Sequence, residues 1–415
     1  MKHTLISLFT LIMLFAWSSN CLAIERRREQ IQTDFGYIVT PMPFILPGVG
    51  TGFGLLGGLN NIYETPVDLF LVFIAGDVEG AILGTTDIPL VPKHWLLDLT
   101  TVRFNKGQQN RYLQRGMDSE ADEFNIVELD DSALQGFRSI LTFYDRMLEF
   151  YTISYNIQFK LSAIRDNEGN LQNKIENPEE INFKSGTYGF LLDYTDDRID
   201  PKQGVRLSVE RSSTPPRNSD SVNYYVMNYS LTGLVPMLDY STWAFHYFRS
   251  DSVVEKKGET DLLVLSQDYG CYETDFDQCN ESIKGVVQDQ VAQNTYGSAT
   301  SLGGRARLRA YSEGRFSAAH TEFIATEFRW NLTNENTPFD IGIMKDLRTG
   351  IQLAFFYEMG TVAETTPDLW KKYKYSVGSG ARLVTGSGFV YRFDLGFGDE
   401  GVATTLFVDY PWGAL

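Results

Sequence analysis

The chain has 415 residues, a formal net charge of −17, 43% hydrophobic residues and 21% charged residues. So acidic a composition disfavours nucleic acid as a partner, because binding it requires basic stripes or patches. The 28 Phe, 22 Tyr and 6 Trp are ring-bearing residues of the kind found at membrane interfaces and on lipid-facing strands. Beyond residues 1–23, no segment approaches the roughly 18 uninterrupted apolar residues that a transmembrane helix requires.

The first 23 residues have the pattern of a secretory signal peptide. Lys2 gives a positive start, residues 4–17 form an apolar core too short to span a bilayer, and Ala23 offers a small residue for cleavage. The alternative is a lipoprotein signal with a lipid on Cys21. The preceding Ser18-Ser19-Asn20 lacks the aliphatic residue expected in such a signal.

The sequence predicts three parts. Residues 1–23 are the signal peptide, residues 24–34 are a short periplasmic lead segment, and residues 35–415 are one outer-membrane β-barrel. The lead segment reads IERRREQIQTD, which is polar and charged, and we expect it to form a tail or a fraying helix.

Residues 389–397 show the alternation that repeats down the chain. One face of this strand carries Phe389, Tyr391, Phe393, Leu395 and Phe397, and the other carries Val390, Arg392, Asp394 and Gly396. No helical stretch is evident that could cover such an apolar face, so lipid is the natural solvent for it. The pattern predicts an all-β fold, a transmembrane antiparallel barrel with polar residues facing inward.

About sixteen strands are predicted. Their expected spans are 35–40, 50–62, 67–76, 79–91, 93–105, 132–144, 149–164, 186–195, 204–212, 223–236, 241–254, 316–332, 350–361, 371–385, 388–398 and 402–410. In strand 149–164 the face of Tyr151 and Ile153 is expected to point outward. In strand 204–212 we expect Arg206 and Glu210 inside, and in strand 350–361 we expect Gln352 and Glu358 inside.

Connections alternate between tight turns, such as Gly386-Ser387-Gly388, and long polar insertions at 106–131, 165–185 and 255–315. The last insertion contains Cys271 and Cys279, a close pair in an exported chain that predicts a disulfide. A metal site is the weaker alternative, because no His accompanies the two thiols. The acidic side chains between the cysteines are expected to be solvated. A calcium site is less favoured, because the glycine of an EF-hand loop is missing.

Near the end of the longest insertion stands SLGGRARLRAYSEGRF, residues 301–316. It resembles the loop of the BamA/TamA superfamily, or bacterial surface antigen domain, in which an Arg-Gly-aromatic tip follows a Gly-Gly. Here the tip is Arg309-Ala310-Tyr311. Three further segments resemble segments of the superfamily and occur in the same order along the chain. They are the turn at 194–201, the glycine-rich strand at 377–383 and the strand at 392–395.

The resemblance implies a barrel of about sixteen strands with this long loop folded into the lumen. It also implies a role in inserting or translocating proteins or lipids at the outer membrane. The mechanism would use a weak seam between the first and last strands, and Pro41 and Pro43 support it because proline cannot donate to a ladder. Implied partners are outer-membrane lipids, periplasmic or lipoprotein accessory proteins, and unfolded or secreted protein cargo.

Three features depart from the superfamily. Ala310 replaces the expected glycine, which would strain a backbone that needs positive φ. The final strand is expected to end at Tyr410 and to leave a tail, and no folded periplasmic domain is expected before the barrel.

Arg309 needs a partner if it enters the lumen, because a buried unpaired guanidinium is costly. Glu358 and Glu327 project from inward faces of later strands and are the expected partners. The alternative is that Arg305, Arg307 and Arg309 alternate along a solvated loop edge.

The other candidate chemistry is sparse. His94, His246 and His320 have no Ser or Asp arrangement around them, so no catalytic site, cofactor or metal is expected, and the chain is not expected to be an enzyme. A passive porin for small solutes is the alternative function. A barrel enzyme is the second alternative.

Overall fold

The structure of the protein is a computed structural model. It describes residues 24–216, 221–238, 240–268, 281–333, 339–341, 344–347, 349–385, 390–409 and 411–412. The predicted signal peptide, the predicted Cys271–Cys279 pair and the predicted turn at 386–388 lie outside these residues.

The described residues form nineteen strands and two α-helices. The strands are β1 Gly36–Leu46, β2 Gly50–Asn60, β3 Asp68–Gly76, β4 Glu79–Val91, β5 Trp95–Tyr112, β6 Phe124–Phe143, β7 Leu148–Arg165, β8 Leu171–Lys174, β9 Glu180–Thr195, β10 Gly204–Ser213, β11 Asn223–Met237, β12 Ser241–Lys256, β13 His320–Asn331, β14 Phe339–Ile341, β15 Met344–Leu347, β16 Thr349–Ala363, β17 Lys374–Thr385, β18 Val390–Gly398 and β19 Gly401–Val408. The helices are α1 Leu262–Asp268 and α2 Glu281–Tyr296.

Sixteen of these strands form a closed antiparallel barrel. Each pairs with the next long strand along the chain, and β1 pairs with β19 to close the ring. The short strands β8, β14 and β15 belong to connections. The predicted fold class, an antiparallel barrel of about sixteen strands, is confirmed.

The closing seam is much weaker than the neighbouring ladders. β1 pairs with β2 at every position from Gly36 to Leu46, but among the described residues its register with β19 consists of the single pair Ile45 and Leu406. Near its other end, β1 pairs with β15 through Tyr37 and Lys345. The prediction that the first strand ends at residue 40 is wrong, because Pro41 and Pro43 lie within it. Proline is tolerated there because β1 is nearly an edge strand on its seam side.

The faces of the strands follow the predicted alternation in most of the barrel. In β16, Ile351, Phe355 and Tyr357 are exposed on the outside, and Gln352 and Glu358 are buried on the inside. In β10, Arg206 pairs with the buried Asp193, as expected for an inward side chain. Polar inward faces and apolar outward faces are what a barrel in lipid requires.

The predicted orientation of the strand at 149–164 is wrong. Tyr151 is buried and donates a hydrogen bond from its hydroxyl to inward-facing Glu210, at 2.6 Å, whereas Phe150 is exposed on the outside. Tyr151 packs with Leu96, Ile140 and Leu191 on the inner wall. Because the inner wall is apolar here, the more hydrophobic face of this strand points inward. A prediction from hydrophobicity alone therefore exchanges the inner and outer faces.

A broad apolar surface covers the outside of the barrel. Large exposed side chains lie on strands all around the ring, among them Phe53, Leu71, Phe73, Leu99, Phe137, Phe150, Trp330, Phe355, Phe393 and Phe397. Such a surface would be unstable in water and suits the hydrocarbon of a bilayer. The protein is a transmembrane β-barrel.

Two predicted insertions are largely strand. β5 continues to Tyr112 and β6 begins at Phe124, so only residues 113–123 connect them. The predicted insertion at 165–185 contains β8 and the first residues of β9. The 255–315 insertion contains α1 and α2, although no helix was expected from the sequence.

Strand length varies around the barrel. β5, β6, β7 and β9 have 18, 20, 18 and 16 residues. The two strands at the seam are shorter, with 11 residues in β1 and 8 in β19. The long strands extend at the end that carries the insertions.

The connections alternate between two ends of the barrel because every neighbouring pair is antiparallel. We call the end that holds residues 24–35 and the turns at 144–147 and 196–203 the lead end. The opposite end holds the connections at 113–123, 257–319 and 364–373, and we call it the loop end.

Candidate functional site

The loop that follows α2 forms a compact turn between Leu302 and Phe316, which are joined by an isolated bridge. Gly303 and Gly304 have φ of 100° and 99°, a region that favours glycine. A Cβ on Gly303 would lie 2.2 Å from the Ser312 carbonyl oxygen. The two glycines therefore let residues 305–311 fold back tightly and present their tip.

Arg309 at the tip is fully buried and bonded on every side. Its main-chain nitrogen and its Nε donate to the two carboxylate oxygens of Glu358, at 2.7 and 2.8 Å. Its Nη1 donates to Asp394 at 2.8 Å and its Nη2 to Glu327 at 3.0 Å. The guanidinium also lies 3.5 Å from the centre of the Phe356 ring.

Charges around the tip are balanced. Glu327 also accepts hydrogen bonds from Arg329 and Arg382, at 2.8 Å from each. Arg392 donates to Asp394 at 3.2 Å and to Asp409 at 2.6 Å. Four guanidinium groups and four carboxylates thus form one network. A buried network is stable only when each charge is paired in this way.

The rest of the tip rests on glycines of β18. A Cβ on Gly396 would lie 2.7 Å from the Arg309 carbonyl oxygen, and one on Gly398 would lie 2.8 Å from the Tyr311 hydroxyl. That hydroxyl donates to the Tyr375 carbonyl oxygen at 3.1 Å and accepts from the Asp399 nitrogen at 3.2 Å. Burial raises the pKa of Tyr311 to about 12, so its proton stays in place.

The expected strain at Ala310 is absent. Ala310 is not among the positive-φ residues, whereas Leu308 has a φ of 54°. The main-chain nitrogen of Ala310 donates to the Ser376 hydroxyl at 2.9 Å. Alanine is therefore compatible with this position, and Leu308 takes the left-handed conformation.

The structure brings together Arg309, Glu358 and Glu327, and it adds Asp394 and Arg382. Asp394 was already assigned to an inward face by the alternation of residues 389–397, and this signal could have identified it. Arg307 stacks 3.7 Å from the centre of the Phe248 ring. Burial lowers its pKa to about 10, which leaves it charged at neutral pH.

Arg305 alone matches the alternative of a solvated loop edge, and it links the loop to the last strand. Its side chain is 39% exposed, and its Nε lies 3.5 Å from an Asp409 carboxylate oxygen. Its guanidinium also lies 4.5 Å from the ring centre of Phe407 in β19. The tip and the last strand are thus in direct contact.

The residues after β19 turn inward. Trp412 is buried, stacks on inward-facing His246 with ring centres 4.9 Å apart, and donates from Nε1 to the Ala306 carbonyl oxygen at 3.2 Å. Within the expected tail beyond residue 410, Trp412 therefore packs against the loop.

Residues 113–123 cross the loop end of the barrel. They leave from β5 and β6, yet Arg115 pairs with Glu364 at 2.7 Å in the connection between β16 and β17. The Met117 sulfur accepts from the Val362 nitrogen at 3.2 Å. Arg315 donates to the Ser119 carbonyl oxygen at 2.6 Å. These contacts tie the crossing segment to the loop and to the far wall.

Within the described part of the chain, no group of three or more His, Cys, Asp or Glu side chains is placed to hold a metal ion. Among the same residues, no helix has the length and apolar character needed to cross a membrane.

No protein-family model and no curated protein matches this chain. Among solved structures, it is similar to BamA from Haemophilus ducreyi lacking POTRA domains 1-3, with 12% identity and a TM-score of 0.48. That similarity covers 91% of this chain and 70% of the BamA chain.

Two CdiB structures are also similar. For CdiB from Escherichia coli the identity is 12%, the TM-score 0.48 and the coverage 89% of this chain and 62% of that one. For CdiB from Acinetobacter baumannii the values are 11%, 0.47, 89% and 60%. The chain thus spans less than two thirds of either CdiB chain. The similarities concern the fold alone.

Proposed function

We propose that this barrel inserts or translocates proteins or lipids at the outer membrane by opening the seam between β1 and β19. The observation that carries the proposal is the single registered pair, Ile45 with Leu406, across that seam. A ladder with few pairs can separate at low cost, whereas the eleven pairs of β1 with β2 cannot. An opened seam would offer strand edges to an incoming segment and a path into lipid.

The contacts around Arg309 support a second part of the proposal. We infer that the loop tip lies in the lumen and holds β13, β16, β17 and β18 as one rigid wall. The tip bonds to side chains from each of these strands. A rigid wall on one side of the seam would confine the opening to β19 and β1.

A reversible lock across the seam tests this function. We substitute Ile45→Cys and Leu406→Cys in a Cys271→Ser/Cys279→Ser background, so that oxidation joins the two strands. The locked barrel in liposomes should lose insertion of a urea-unfolded outer-membrane protein, scored by protease protection, and reduction should restore it. The matched control places cysteines at Val39 and Gly57, a pair within the complete β1–β2 ladder. If the locked seam inserts cargo as well as this control does, the seam is not the route.

The alternative of a passive porin is disfavoured by the segments that cross both ends of the barrel. Residues 113–123 cross the loop end, and the lead segment crosses the lead end, as described below. Planar-bilayer conductance of the full chain and of a chain lacking residues 256–315 separates the two functions. A porin conducts steadily in its full-length form, whereas an insertion barrel conducts only after the loop is removed.

The accessory partners implied by the sequence resemblance belong to this proposal too. Co-purification of periplasmic or lipoprotein subunits from native membranes is the direct test. Recovery of the barrel alone after mild crosslinking would count against such partners.

A further inference from the structure

The lead segment is a bent chain bonded to the barrel, and neither the tail nor the fraying helix expected from the sequence is seen. Its residues have no helical structure, and Ile31 is buried. The main-chain nitrogen of Arg27 donates to the Asp196 carbonyl oxygen at 2.8 Å, and that of Gln30 to Asp145 at 3.2 Å. The segment is therefore attached to the barrel through its own backbone.

Three consecutive arginines make the strongest attachments. Arg26 donates to the carbonyl oxygens of Thr195 and Asp193, at 2.9 and 3.0 Å. The Nε of Arg27 lies 2.8 Å from Asp196. Arg28 reaches both carboxylate oxygens of Asp197, at 2.7 and 3.2 Å.

The acids that receive these arginines are all buried. Asp193, Asp196, Asp197 and Asp200 are between 0% and 3% exposed. Charge-assisted bonds to buried carboxylates are stronger than surface pairs. The arginine side chains remain 8–27% exposed, so the attachment is accessible to water and salt from one side.

The two ends of the lead segment face each other across the barrel. It continues into β1 at Gly36, and its arginines bind the turn at 196–203 between β9 and β10. β10 is eight strands from β1 in either direction around the ring. The segment thus joins opposite sides of the lead end.

Chain length decides the path between these points. From Arg28 to Gly36 the backbone can span at most about 29 Å. Following the rim would need about 50 Å, because strands lie about 4.8 Å apart and barrel tilt raises this to about 6 Å per strand. The lead segment therefore cuts across one side of the opening, where Gln30 contacts Asp145 in the β6–β7 turn and the Asp34 carbonyl oxygen accepts from Asn61 after β2.

We propose that residues 24–35 are a displaceable strap that lies across one side of the lead end of the barrel and is held there mainly by Arg26, Arg27 and Arg28. The strap restricts entry to the lumen from this end. Release requires the separation of ion pairs and little loss of apolar packing, so salt or a competing basic segment favours the released state. This role does not depend on whether the seam opens.

The test measures access to a cysteine placed on the inner wall. Ser208→Cys lies on the inward face of β10, between Arg206 and Glu210, and is half-buried. In a Cys271→Ser/Cys279→Ser background, we follow its reaction with a charged maleimide in detergent. Glu168→Cys, which is exposed at the loop end, serves as the reference for intrinsic reactivity.

Two changes to the strap should move the rate in opposite directions. R26Q/R27Q/R28Q should raise labelling of Ser208→Cys by at least about tenfold, the change expected when one charge-assisted bond is lost. A disulfide between Gln30→Cys and Asp145→Cys should pin the strap, lower the rate and remove its salt dependence until the disulfide is reduced. Arg211→Gln removes an exposed ion pair with Glu255 and should leave the labelling rate of Ser208→Cys unchanged.

Asp197→Asn keeps the lead segment intact and retains an acceptor for the Ile199 nitrogen, so it guards against misfolding of the triple variant. Heat-modified gel mobility verifies that each variant is folded. The proposal is overturned if Ser208→Cys labels in folded R26Q/R27Q/R28Q and in folded Asp197→Asn at the same rate, relative to Glu168→Cys, as it does with the strap unchanged. It is equally overturned if the oxidised pin leaves labelling unchanged.

Discussion

Arg309 binds Glu358 twice, once through its main-chain nitrogen and once through its side-chain Nε, so both carboxylate oxygens are used. The backbone bond fixes where the tip lies, and the side-chain bond fixes how the guanidinium is turned. With Glu358 held in this way, the two remaining nitrogens point at Asp394 and Glu327. One residue of the loop thus connects three strands.

Arg309→Ala should destabilise the barrel by about 3–5 kcal/mol, because it leaves buried carboxylates without a cation. Arg309→Lys keeps the charge but loses the planar fork, so it should restore only part of the stability. Thermal melting or heat-modified gel mobility gives the value.

A double-mutant cycle with Glu358→Ala, and another with Glu327→Ala, identifies the partners. Simple addition of the single effects in both cycles would mean that the tip and the wall do not interact. Arg211→Ala is the matched control, because its pair with Glu255 is exposed and should be worth under about 1 kcal/mol.

Gly396→Ala should displace the loop tip although it changes no charge. The new Cβ would lie 2.7 Å from the Arg309 carbonyl oxygen and 2.8 Å from the Ala310 nitrogen. Overpacking of this kind costs about 1–3 kcal/mol, and proteolysis within residues 297–319 should become faster. Gly233→Ala is the control, since nothing lies within 4 Å of its added Cβ. Equal protease resistance of the two variants would show that the tip does not rest on β18.

Trp412→Ala should loosen the loop and lower stability by about 3–5 kcal/mol, because a large buried ring is lost. The ring is stacked on His246 and bonded to Ala306. Trp330→Ala removes the same side chain from the outer face, where it is 48% exposed, and should cost much less in detergent. Similar melting temperatures for the two variants would contradict the inward packing of the tail.

Cys271 and Cys279 remain predicted to form a disulfide outside the cell. The closed loop is short, so its contribution should be modest, roughly 2–3 kcal/mol on the chain-entropy treatment. Maleimide labelling of denatured, unreduced protein should find no free thiol in the mature chain. Labelling of both cysteines would rule the bond out.

The sequence predicted the barrel because one property, alternation in steps of two, repeats in most strands. β16 and β18 follow it closely, since their outward faces meet lipid and their inward faces meet charges. β7 does not, because Tyr151 and Ile153 belong to an apolar inner wall. Hydrophobicity reports burial from water, and in this part of the barrel both faces are removed from water.

The site was predictable where residues lie near the motif and less so where contacts are distant in sequence. Arg309 could be matched to inward acids on predicted strands. The attachment of the strap could not be predicted, because the polar sequence of residues 24–34 carries no signal for a partner more than 160 positions away, such as Asp197. The inward turn at Trp412 likewise depends on His246, which the sequence left without a role.

The short last strand has a consequence for the surrounding lipid. A tilted strand needs about 9–11 residues to cross the hydrocarbon of a bilayer, whereas β19 has 8. Lipid next to this strand must become thinner to match it, and thinning is an elastic cost that the membrane itself carries. On the side of β5 to β7, with 18–20 residues a strand, no such compression arises. The barrel therefore deforms its bilayer unevenly, and the deformation is greatest next to its weakest ladder.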